Sequence, residues 1–90
     1  MIDMLILIMH YSMIYATDKH RHLICLPYSI KNLHIMAGQL NIKRCWFHRD
    51  HYDIPKRRID EIESQCTIVS SKEIVRIIRS HQKSDINKLS

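Results

Sequence analysis

The chain has 90 residues, 46% apolar and 26% charged, with a formal net charge of +5 and a pI near 9.3. These values suit one globular domain with a modest core, exclude two domains and a disordered chain, and point to anionic partners such as nucleic acid or another polyanion. Cys25, Cys45 and Cys66 form no close pair and are odd in number, which argues against a disulfide framework and for small buried hydrophobes in a reducing compartment.

In chain order, "MLILIM" at residues 4–9 is the one strongly apolar run. It is too short to span a bilayer and reads as a core strand. Asp3 stands where a signal peptide would carry basic residues, so no membrane partner and a cytoplasmic location are expected. "MIYAT" is a second strand or an extension of the first, and "DKHRH" an exposed basic turn. "HLICL" follows as a strand stopped by Pro27. Ile30, Leu33, Ala37 and Leu40 then recur at helical spacing, with Ser29 placed to cap the start and Asn41 to stop the end.

"IKRCWF" reads as the next strand. Pro55 suits the first turn of a helix with Ile59, Ile62 and Cys66 on its stripe, and "CTIVS" is another strand. Ser70 and Glu73 form a capping-box pair before Ile74, Ile77, Ile78 and His81. The alternation predicts an α/β domain over residues 1–81. Its sheet, in a two- or three-layer arrangement, has three to four mostly parallel strands and about three helices. Residues 82–90 read as a polar, frayed tail.

Chemistry concentrates in "HRDHYD", residues 48–53, beyond the end of the strand "IKRCWF", where open α/β sheets place their ligands. His51 and Asp53 are two apart, so in an extended segment both side chains point the same way and suit one divalent metal ion. His22, His34 or His48 would supply further ligands, and His22, His48 and His51 are the candidate catalytic histidines. The plainer alternative has Asp53 capping the following helix and His51 packing on Trp46 or Tyr52. His22 begins its strand where "HRDHYD" ends one, so the two meet only if "HLICL" runs antiparallel to its neighbour. That arrangement follows if the chain returns through "DKHRH".

Arg49, Lys56, Arg57 and Arg58 are the candidate phosphate-binding cations, because the last three crowd a helix start, where the macrodipole disfavours positive charge and an anion would compensate. Tyr52 is the candidate ring for base stacking, whereas Trp46, in a strand, reads as core. His34 lies beside the apolar stripe of its helix and reads as a packed, hydrogen-bonded histidine, and Arg76 and Arg79 read as a solvated face. Neither a Gly-x-Ser-x-Gly elbow nor a phosphate-cradling glycine loop occurs, Gly38 being the single glycine.

Residues 22–79, with His22-Leu23, Leu33-His34, Phe47, Asp50 to Asp53 and the closing "EIVRIIR", resemble a small bacterial and phage family, domain of unknown function 4031. The resemblance implies a first strand ending in aspartate, for which His10 or Asp18 stands here. It supports the fold and the motif boundaries and implies no activity. The function expected is phosphate binding, of nucleic acid above all, through the "HRDHYD" loop and the "KRR" helix start, extended by metal-dependent phosphoester hydrolysis. The alternative is a non-catalytic interaction module, such as a phage-encoded modulator of a host protein. Pairing with a second copy, through "MLILIM" or a sheet edge, is a further route of association.

Overall fold

The computed structural model describes residues 13–89, with side chains as far as Lys83. The strand expected over residues 4–9, and His10, lie outside the described residues. Two antiparallel returns organise the rest. "MIYAT" supplies β1 (Ile14–Thr17), which turns through residues 18–21 into β2 (His22–Leu26). α1 (Ile30–Leu40) leads into a 3₁₀ turn at Arg44–Trp46 and the short hairpin of β3 (Phe47–His48) and β4 (His51–Asp53). A second 3₁₀ turn (Lys56–Arg58), α2 (Ile59–Glu63), β5 (Thr67–Ile68) and α3 (Ser71–Leu89) complete the chain.

The fold is α/β, and the described residues form one mixed five-stranded sheet ordered β3-β4-β2-β1-β5 with three helices. The expectation of three to four mostly parallel strands is corrected: among the described residues only β1 and β5 pair in parallel. Antiparallel pairing wins because turns of a few residues link β1 to β2 and β3 to β4, whereas a parallel neighbour needs a long crossover.

Local chemistry explains most element ends. Ser29 Oγ accepts the Asn32 N–H at 2.9 Å and starts α1. Asn41 ends it at φ 59°, with Ile42 N–H donating to Ala37 O and Asn41 N–H to Gly38 O, the paired bonds of a Schellman stop. Ser70 Oγ likewise accepts the Glu73 N–H at the start of α3, while the Glu73 carboxylate pairs with Arg76. The strand expected over "IKRCWF" shrinks to Phe47. Ile42 is buried as part of the helix stop, and Lys43 through Trp46 are exposed. No period-two apolar face runs through those residues, so nothing favours a strand. Trp46, expected in the core, is 36% exposed. α3 continues beyond Gln82 to Leu89.

Strand alternation divides the sheet between two helices. Tyr15 and Tyr52 face α1, donating to or meeting Gln39 and His34 there. His22 and His51 lie on the other face, beside α3. The core between these layers includes Leu23, Ile24, Leu33, Met36, Ile54 and Ile62, all fully buried. Among the described residues no helix is long and apolar enough to cross a membrane.

Asp18 sits buried at the β1–β2 turn and knots three elements together. Its Oδ1 accepts the backbone N–H groups of His20 at 2.8 Å and His22 at 3.2 Å. Its Oδ2 accepts His22 Nδ1–H at 2.7 Å and the Ser71 hydroxyl from the start of α3. Burial pushes this carboxyl up, yet the bonds from Ser71, His22 and the two backbone groups outweigh it and hold the pKa at about 2.

A depressed pKa contributes stability that is complete above the unfolded-state value near 3.8 and is lost as pH falls through about 2. Asp18→Asn is therefore expected to lower stability by about 2 kcal/mol at neutral pH, the gap closing towards about pH 2. Urea unfolding of both proteins across that range measures the difference, and an unchanged gap at low pH would refute the assignment.

Candidate metal centre

β4 is three residues long, and its alternation decides which side chains share a surface. His51 and Asp53 stand on one face and Tyr52 on the other. Antiparallel pairing sets His22 opposite Asp53, so the condition set by the sequence for their meeting is satisfied, with β4 as the neighbour of β2. One donor atom from each of His22, His51 and Asp53 lies within 4.8 Å of the other two. The two imidazoles meet edge to face, with ring centroids 5.0 Å apart.

Hydrogen bonding assigns the nitrogens. His22 Nδ1 is 2.7 Å from Asp18 Oδ2, and His51 Nδ1 is 2.8 Å from Asp50 Oδ1. An ionised carboxylate only accepts, so each Nδ1 carries the proton, and in the neutral ring each Nε2 presents a lone pair. His51 Nε2 faces Asp53 Oδ1 at 3.2 Å. Two acceptors at that separation repel unless a proton or a cation lies between them.

A carboxylate behind a ligating histidine is the usual outer support of a metal site, because it fixes the tautomer and makes the imidazole a better donor. Here both histidines have one. Two imidazole nitrogens and one carboxylate oxygen suit borderline ions such as Zn²⁺, Mn²⁺ or Fe²⁺, and three protein ligands leave coordination positions open. Ligands on one such ion stand roughly 3–3.5 Å apart, so the cluster needs only a small closing movement. Asp18 is not a ligand, since its oxygens already accept four hydrogen bonds.

The cluster opens on a cleft of about 300 Å³ walled by Ser71, Ile74, Ile78, Arg79 and Gln82 of α3. Their spacing marks a single helix face. Arg76 is paired with Glu73, whereas Arg79 is exposed and in no ion pair among the described residues. Arg79, expected on an ordinary solvated face, is exposed there and also lines the cleft.

The other expected site residues fall in several places. His48 is the cross-strand partner of His51, with ring centroids 5.5 Å apart, and is exposed beside it. Arg49 is exposed and shapes the hairpin: its φ is 61°, and Asp50 N–H donates to His48 O across it at 2.6 Å, a tight three-residue turn. Tyr52 is corrected as a stacking ring. It is 1% exposed, and its hydroxyl meets His34 Nδ1 at 2.8 Å. His34 is thereby held on the opposite face of the sheet, away from the cluster.

Lys56 and Arg57 are exposed, in a 3₁₀ turn and not in the α-helical first turn expected. Arg58 is corrected as a free phosphate ligand, for its guanidinium donates to Leu40 O and Asn41 O and pairs with Glu61. Asp18 and Asp50, the outer carboxylates, were not assigned from sequence. For Asp18 the available signal was its place directly after "MIYAT", four residues before His22, where aspartate favours a turn.

Titration of metal-stripped protein with Zn²⁺ is expected to show one bound ion per chain. Asp18→Asn should weaken it by about 10- to 100-fold. Tyr52→Phe should leave affinity unchanged and cost about 1 kcal/mol of stability. Equal affinity for the wild-type protein and a His22→Ala, His51→Ala double variant would place the ion elsewhere.

Comparison with curated proteins and with solved structures returns no match. A family model matches residues 6–81, spanning the turn of Asp18, the three clustered side chains and the cleft-lining part of α3 as far as His81. The chain belongs to the family described as protein of unknown function (DUF4031).

Proposed function

We propose that this domain is a metal-dependent phosphoester hydrolase acting on small or single-stranded nucleic acid substrates. One observation carries the reading: His22, His51 and Asp53 converge, with each imidazole backed by a carboxylate, at the mouth of a cleft that holds an unpaired arginine. A divalent ion held by His22, His51 and Asp53 would supply Lewis-acid polarisation of a phosphoryl oxygen and make water more acidic.

The chain's own groups take separate parts. Arg79 offers a planar guanidinium to two phosphate oxygens, which fixes the orientation of the phosphoryl group. Ile74 and Ile78 keep part of the cleft apolar. His48, exposed beside His51, would move a proton between the reacting group and solvent. Asp50 and Asp53 make the mouth repel anions, so phosphate binding should require the cation. The formal charge of +5 draws polyanions to the surface as a whole.

Hydrolysis of bis-(p-nitrophenyl) phosphate with Mn²⁺ or Zn²⁺ is the direct assay. Activity should vanish on chelation and in His51→Ala or Asp53→Ala. Arg79→Ala should raise KM about tenfold or more while metal affinity is kept, since a charge-assisted bidentate contact is worth about 1.5–3 kcal/mol. A fully metal-loaded protein that neither binds phosphate nor cleaves the diester would overturn the proposal.

The exposed apolar residues Ile68, on edge strand β5, and Val75, on α3, favour a second reading, a module that docks on another protein. A host-protein complex that survives the joint His51→Ala and Asp53→Ala change, with no hydrolysis by the unmodified domain, would select it.

A further inference from the structure

We infer that a second surface, the recess between the Arg44–Trp46 and Lys56–Arg58 turns, binds single-stranded nucleic acid. This inference stands independently of the metal reading, for the recess shares no residue with the cluster or its cleft.

The recess has a volume of about 290 Å³. Its floor is apolar, formed by the buried Ile42 and Pro55, and its rim carries Lys43, Trp46 and Arg57. Trp46 is 36% exposed, while its neighbour Phe47 packs on the core. Its place is set by backbone, with Trp46 N–H donating to Lys43 O at 3.0 Å. Tryptophan is usually well covered in a folded chain, so a ring left at the mouth of a recess among cations asks for a partner.

The cations sort into two roles. Arg58 is committed, donating to Leu40 O and Asn41 O and pairing with Glu61, and so it ties the two turns together as a firm wall. Lys43 and Arg57, which line the recess, are exposed and form no ion pair among the described residues, and Arg44 and Lys56 are exposed in the same two turns. Glu61 is paired with Arg58, and among the described residues no acidic side chain lines the recess. The rim is therefore positive around an exposed ring.

Cations alone suit any polyanion, and an aromatic ring alone suits a protein surface. Their combination, spaced along two adjacent turns, is the pattern of a backbone-tracking groove with a stacking platform. A recess of this size sits at the small end of ligand sites. It admits one unstacked base and its phosphate, whereas the bases of a duplex remain in their stack and cannot reach the ring.

Trp46 is the single tryptophan of the chain, so intrinsic fluorescence reports on the recess directly. Titration with a mixed-sequence 15-nucleotide DNA strand in EDTA, which empties the metal site, should quench that emission. The log of the association constant should fall with the log of salt concentration at a slope of roughly −1.4, as phosphate contacts from Lys43 and Arg57 give. The joint Lys43→Glu and Arg57→Glu change removes no side-chain hydrogen bond seen among the described residues and should weaken binding at least tenfold. His51→Ala should leave quenching intact.

The inference is overturned if the strand binds by anisotropy without quenching Trp46, or if the charge-reversed protein binds equally well. Equal quenching by duplex or by inorganic phosphate alone overturns it too. Loss of hydrolysis in His51→Ala with quenching retained would support both readings. Absence of hydrolysis in the wild type with quenching retained would remove the enzyme and keep this surface.

Discussion

Register between β2 and β4 is the constraint on which the site depends. His22 is the Cα partner of Asp53, and Leu23 that of Tyr52. Sliding one strand by a single residue would turn either His22 or the His51–Asp53 pair to the opposite face. What holds the alignment is apolar. Leu23 and Tyr52 are both buried beneath α1, at 0% and 1% exposure, and Ile54 N–H continues the ladder to Arg21 O at 2.9 Å. The polar face, with its imidazoles and carboxylate, is a consequence of packing on the other side of the sheet.

Asp18 extends this control to the helix. A buried ionised carboxylate is tolerated only when its lone pairs are engaged, and here four donors from three places meet it. The His20 and His22 N–H groups close the turn, the His22 ring is oriented, and the Ser71 hydroxyl anchors the start of α3. The residue that sets the tautomer of a site histidine thus also sets where the cleft wall begins. Movement of α3 would strain the His22 ring, and loss of the ring's support would loosen the helix start.

Signals that act within a few residues were legible in the sequence. Ser29 and Asn41 bracket α1 because capping is local chemistry, and Ser70 starts α3 for the same reason. The pairing of His51 with Asp53 followed from alternation alone. Partners fixed by long-range pairing were less accessible: a run such as "IKRCWF" looked apolar enough for a strand, yet Ile42 serves the helix stop and Trp46 stays outside. Tyr52 looked exposed because its neighbours are polar, and only the buried Leu23 opposite it reveals which face it joins. Arg58 carries no sequence mark distinguishing it from Arg57. Its role rests on two carbonyls at the end of a helix 17 and 18 residues earlier.

Charge distribution ties the parts together. The chain is basic overall, yet it gathers Asp18, Asp50 and Asp53 around two histidines at one sheet face. The first of these is satisfied internally, which leaves Asp50 and Asp53 as negative groups at the mouth of a cleft whose wall bears Arg79. Such a mouth repels phosphate at short range while the rest of the surface attracts it at long range. A divalent cation held by His22, His51 and Asp53 would reverse the local sign and, as a proton also would, relieve the facing acceptors at His51. On the proposed reading, the acidic cluster and the basic surface become parts of one device, joined by a cation that the three donor atoms would hold after a small closing movement.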